Sequence, residues 1–120
     1  MSDSAARDAI MRFFPEPPDY STHELGILFR FQGRRLFVDA HRVVEITPPV
    51  PTSPLPGEAG RGVAFWRGGA HEVRTGTGPA VAFLLLKTEG REFFVASEEN
   101  PRALRRKELP VGVEDLPEEL

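Results

Sequence analysis

From Leu25 onward, large apolar residues recur at every second position. Leu25, Ile27, Phe29 and Phe31 fall on one side of the chain and Gly26, Arg30 and Gln32 on the other, with Leu28 the exception. That period of two belongs to a β-strand. A turn around Gln32-Gly33-Arg34 leads to Leu36, Val38 and Ala40, which alternate again, so the two segments predict a hairpin. Val43, Val44 and Ile46 extend the apolar run. The stretch 47–60 then carries Pro48, Pro49, Pro51, Pro54 and Pro56. Proline has no N–H to give to a ladder or a helix, so a stiff surface loop is expected there. Gly62-Val63-Ala64-Phe65-Trp66 reads as a strand ended by Arg67-Gly68-Gly69, with His71-Glu72-Val73 as a short return. Residues 80–86 are apolar on both faces, the pattern of a strand buried on both sides. Thr88-Glu89-Gly90-Arg91 turns that strand into 92–97, a second hairpin.

The two hairpins resemble each other. Gly33-Arg34-Arg35-Leu36-Phe37-Val38-Asp39-Ala40 aligns with Gly90-Arg91-Glu92-Phe93-Phe94-Val95-Ala96-Ser97, roughly 57 residues on. Two copies at that spacing point to paired sub-barrels rather than a solenoid. Helical signals are few. Residues 5–14 have Asp3 or Ser4 as N-cap and place Ile10, Phe13 and Phe14 on one face, which should rest on the domain or on a partner. Pro15, Pro17 and Pro18 make the next stretch an extended linker. Asn100-Pro101 predicts a short helix through Lys107, and the acidic tail after Pro110 is expected to be loose apart from Val111, Val113 and Leu116. The expected organisation is a helix and linker over 1–20, a domain over 21–110 and a tail over 111–120.

Composition narrows the function. A chain of 120 residues holds one core, nine Phe and one Trp can fill it, and twelve Pro with eleven Gly favour short strands. The net charge of −3 argues against nucleic acid as a partner. The absence of cysteine excludes disulfides and thiolate metal sites. Residues 1–8 lack the basic-then-apolar pattern of a signal peptide, and 80–86 is too short to span a bilayer as a helix, so a soluble cytoplasmic protein without direct membrane insertion is expected.

Catalytic chemistry finds little support. His23, His41, His71, Asp39 and Glu72 are the metal-ligand candidates, but only Asp39 and His41 have a spacing that shares a strand face. Ser53 and Ser97 lack a nucleophile elbow or an aimed base. The Gly-x-Gly of Arg74-Thr75-Gly76-Thr77-Gly78 lacks the helix that a phosphate cradle needs and reads as a loop. Arg102, Arg105, Arg106 and Lys107 form either a solvated face or a docking surface for an acidic partner. Trp66 beside Arg67 is the composition of an interface anchor and equally that of a half-buried core residue.

In chain order these features resemble the CheW-like domain, the adaptor family that couples chemoreceptors to a histidine kinase. The resemblance spans residues 25–97. It rests on Val43-Val44-Glu45-Ile46 for the family's V-x-E-I, on Leu55-Pro56 in the proline loop, and on Arg61-Gly62-Val63-Ala64-Phe65-Trp66-Arg67-Gly68 for G-V-x-x-L-R-G, with Trp66 in place of Leu. It implies a mostly β fold of two small SH3-like sub-barrels, without catalytic activity or cofactor. It further implies a receptor-binding groove of Val43, Glu45, Ile46, Gly62, Trp66, Arg67 and Gly68, facing the signalling tip of a chemoreceptor, with a CheA-type histidine kinase as the second partner. The chain departs from the family after Gly68 and beyond Ser97, where Ala96 replaces the usual Asp and the closing elements are missing. A truncated second sub-barrel is therefore expected, its open edge covered by the N-terminal helix or by a second copy in a homodimer. The rival readings are a divergent module that has lost kinase docking and a small ligand-binding barrel or enzyme using His41 and Asp39.

Overall fold

The computed structural model describes residues 24–117, and the helix expected over 5–14 lies outside them. The alternating segments form β1 (Leu25–Phe31) and β2 (Arg34–Asp39), then a 3-10 turn at Ala40–Arg42 and β3 (Val43–Thr47). The proline loop holds only a three-residue strand, β4 (Thr52–Pro54). Then come β5 (Arg61–Trp66), β6 (Gly69–Arg74), β7 (Ala82–Thr88) and β8 (Arg91–Ser97). The chain finishes with β9 (Arg102–Arg105), a 3-10 turn at Arg106–Glu108 and β10 (Glu114–Asp115).

Three hairpins have two-residue turns, which tie the register of each pair to the turn geometry. Phe31 faces Arg34, Trp66 faces Gly69 and Thr88 faces Arg91 across them. The strands assemble into two sheets. One has the order β10-β2-β1-β9 and the other β3-β7-β8-β6-β5-β4. β7 and β8 serve both halves of the molecule. Leu84, Leu86, Phe93 and Val95 point into a core with Ile27, Phe29, Leu36 and Val38 of the first sheet, joined by Val43 and Leu116. Phe83, Leu85, Phe94 and Ala96 point the other way, into a second core with Val44, Val50, Ala64 and Val73. The second core takes residues from both ends of the six-stranded sheet, so that sheet curls around it.

The repeat is visible in three dimensions. Each hairpin has the same register, so the likeness extends back from the turn through Gly26 to Phe31 and Phe83 to Thr88. The second hairpin is not left open: β3 flanks it on one side and β6 pairs with it in parallel on the other.

Two expectations about the C-terminal part are corrected. The helix predicted from Asn100-Pro101 is instead β9, because the free edge of β1 accepts four residues in antiparallel register and Ala103 packs against the first core. Helix propensity is a weak prior against such pairing. The tail is not loose over its middle, since Glu114 and Asp115 pair in parallel with Leu36 and Phe37, and Leu116 is buried. Val111 is fully exposed, as a turn residue before that strand.

Candidate docking site

Glu45, Trp66 and Arg67 come together although β3 and β5 are not neighbours in their sheet. The carboxylate of Glu45 accepts from Trp66 Nε1 at 3.3 Å with one oxygen and from Arg67 Nη2 at 2.8 Å with the other. The Arg67 guanidinium stands over the indole, 5.4 Å from its centroid, and the indole meets the Phe94 ring edge-on at 6.3 Å. Trp66 is thus half-buried: one part closes the second core and the rest is open to a partner.

Local backbone features make this meeting possible. β3 is bulged between Val43 and Glu45, so Val43 opposes Leu86 while Glu45 opposes Leu85. A bulge inserts one residue and re-aims the side chains beyond it. Here it swings Glu45 onto the side of the second core, toward the β5–β6 turn. In that turn Arg67 has φ 49° and Gly68 φ 82°. A left-handed arginine is uncommon and carries a cost on the order of 1 kcal/mol, which glycine would not. The turn projects the Arg67 side chain into solvent, where it remains 69 % exposed. An ion pair so exposed adds less than about 1 kcal/mol to stability, so its consequence is orientation of the guanidinium.

The other expected residues scatter. Val43 has no exposed surface and belongs to the first core, and Ile46 packs against that core while half-exposed. Gly62 sits near the far end of β5, opposite Pro54 and Val73. A Cβ there would come within 2.5 Å of the Thr52 methyl and 2.8 Å of the Ser53 carbonyl oxygen, so its role is to let β4 approach. Gly68 is beside Arg67 in the turn.

A second surface is not apparent from residue order. Phe65 is 79 % exposed on the outer face of β5. Glu72 lies on the same face and is surrounded by Arg74 at 2.8 Å, Arg91 at 3.3 Å and Arg61 at 3.6 Å. Three guanidinium groups share one carboxylate beside an exposed aromatic, a composition that favours protein contacts. The signal was present in Phe65-Trp66: adjacent strand residues face opposite ways, so both cannot enter one core.

The Gly-x-Gly loop does hold an anion, but one supplied by the chain. Glu98 accepts from the N–H of Gly33 at 2.9 Å and of Gly78 at 3.2 Å. A Cβ at Gly76 would collide with that carboxylate. The Gly33 bond foremost, helped by Gly78, Arg30 and Gln32, outweighs burial and holds the Glu98 carboxyl below its ordinary value of 4.5. Asp39 is bound to Arg106 at 2.8 Å in a cleft of about 200 Å³ that His41 does not line. Among the described residues no group of three metal-ligating side chains converges, and no helix is long and apolar enough to cross a membrane.

No family model matches the sequence, and no curated protein does. The fold has a solved counterpart in the crystal structure of the scaffolding protein TtCheW from Thermoanaerobacter tengcongensis, with a TM-score of 0.56 at 12 % identity. The match covers 70 % of this chain and 64 % of that one, so the chain spans less than two thirds of its counterpart. The fold is CheW-like and mostly β.

Proposed function

We propose that this CheW-like fold works as a non-catalytic chemosensory scaffold that docks on the helical hairpin at a chemoreceptor's cytoplasmic tip. The observation that carries the reading is the Glu45-bridged pair of Trp66 and Arg67, held by a left-handed turn at the surface. A helix can lay an apolar residue against the open part of the indole while Arg67 meets its acidic side chains, a mode that joins burial to charge complementarity. Gly68 contributes the neighbouring surface, whereas Val43 and Ile46 serve the first core and Gly62 the approach of β4. A scaffold also needs a second surface, and the Phe65 face with Arg61, Arg74 and Arg91 is the one assigned to a CheA-type kinase. Such a role places the protein in the cytoplasm.

The test uses purified receptor and kinase fragments titrated separately. Arg67→Glu and Glu45→Arg should each weaken receptor binding by about tenfold or more, with the fold intact by circular dichroism. Normal receptor binding by both variants would sink the groove. Phe65→Asp should spare the receptor and weaken the kinase. Receptor binding without any kinase binding would instead mark the chain as a module that has lost kinase docking.

A further inference from the structure

Residues 46–57 carry no charged side chain in a chain that is 28 % charged, yet most of this run lies at the surface. Pro48, Pro49, Pro51, Pro54 and Pro56 are all exposed. Between β3 and β4, residues 48–51 belong to no strand or helix, and their course is set locally. Every residue from 47 to 56 except Thr52 is a proline or directly precedes one. Proline holds φ near about −65°, and the residue before it is pushed to extended values. Those limits favour a polyproline II course with three residues per turn. On such a course Pro48 and Pro51 fall in one row, Pro49 and Thr52 in a second, and Thr47 and Val50 in the third. The third row is the buried one: Thr47 is 4 % exposed, and Val50, 8 % exposed, belongs to the second core. The Thr47 hydroxyl donates to the Pro48 carbonyl at 2.7 Å and the Thr52 hydroxyl to the Val50 carbonyl at 2.8 Å, which holds the run in place. One row is thus an anchor, and the prolines of the other two face outward.

We propose that Pro48, Pro49 and Pro51, continued by Pro54 and Pro56, form a docking ridge for a partner domain whose groove is lined with aromatic side chains. Conformation, charge and hydrogen bonding favour this occupant. A groove of that kind reads the prolines of a polyproline II segment, and a segment already held in that form loses little entropy on binding. A run without charge gives a strongly acidic or basic partner nothing to pair with. Proline has no N–H, and of the N–H groups left between 48 and 56 that of Leu55 is already given to the Arg61 carbonyl. A strand from a second copy would therefore find few donors along this edge. None of the ridge residues belongs to the Glu45–Trp66–Arg67 cluster, so the ridge stands whether or not a receptor docks there.

The test titrates the isotope-labelled chain with two purified probes, a WW domain and an SH3 domain that bind proline-rich peptides. At least one should bind, moving the amide resonances of Val50, Thr52, Ser53 and Leu55 and leaving those of Arg67 and Gly68 in place. Pro48→Ala combined with Pro51→Ala should weaken that binding about tenfold, with the fold intact by circular dichroism. Arg67→Glu should bind the probe as the native chain does. Salt at about 1 M, where charges are screened within about 3 Å, should leave the binding unchanged because no charge takes part. No shift over 50–55 with about 1 mM of either domain would overturn the proposal and leave the prolines as guards of the β4 edge. Binding that the double variant retains, or that salt abolishes, would overturn it too. Shifts at these amides when the chain alone is concentrated would make a second copy the occupant, which is equally fatal to it.

Discussion

Hairpins β1–β2 and β7–β8 share a turn length, a register and the same apolar spacing, but they live in different surroundings. At equivalent positions Phe37 lies against Gly26 and under the Arg106 guanidinium, whereas Phe94 is ringed by Phe83, His71 and Trp66 at 5.6 to 6.3 Å. The first hairpin has one aromatic where the second has two, because Gly26 stands where the repeat puts Phe83. A Cβ on Gly26 would come 2.5 Å from the Phe37 ring and 2.3 Å from the Val38 carbonyl oxygen. The turns differ as well. Gly33 is tied to Glu98, and no such carboxylate reaches Gly90 among the described hydrogen bonds. One pattern thus builds a hairpin central to two cores and another that serves one core and carries Arg106 over its outer face.

The widest gap between the hairpins should appear in their phenylalanines. Phe94→Ala should cost toward the top of the range of about 3–5 kcal/mol for a buried aromatic, and Phe37→Ala toward the bottom, since its site can collapse under Arg106. Urea unfolding with an unchanged slope would measure both, and equal losses would erase the distinction. Gly26→Ala should cost about 2–3 kcal/mol, because the clash includes backbone and cannot be relieved by a rotamer. If it is tolerated, Phe37 is not held tightly against the β1 backbone.

The Glu98 latch gives a pH signature. Its carboxyl is held below 4.5 in the folded protein, so its contribution is fully present above that value and is lost as the pH falls through the folded pKa. The amide resonances of Gly33 and Gly78 should follow a group titrating below 4.5, that of Gly90 should not, and Glu98→Gln should abolish the response. The smallest effect belongs to the rim. Asp39→Ala breaks a partly exposed pair with Arg106, which Asp115 still holds at 2.7 Å, and should cost less than about 1 kcal/mol. A larger loss would mean that Arg106 is the clamp that keeps Phe37 in place.

Much of the fold is legible in residue order. Period-two alternation marks β1 and β2, the two-sided apolar run marks β7 as shared between layers, and the prolines keep 47–60 out of any central position. Each of these signals is local. Strand β9 reads as a helix in the sequence because what pulls Arg102–Arg105 into the sheet is the free edge of β1, some 75 residues away along the chain. Strand β10 leaves no local signal for the same reason, its partner being β2.

The candidate docking site divides along the same line. Trp66 beside Arg67 is readable as either an interface anchor or a half-buried core residue, and the left-handed turn that exposes Arg67 is seen only in the structure. The pairing with Glu45 is likewise not legible in residue order. That contact needs a one-residue bulge after Val43 and a sheet curled enough to bring β3 to the β5–β6 turn. Sequence periodicity specifies which face a residue prefers within its own strand. Which strands become neighbours, and where a bulge reverses the facing, depends on burying both sides of β7 and β8 at once, and only the assembled sheets satisfy that demand.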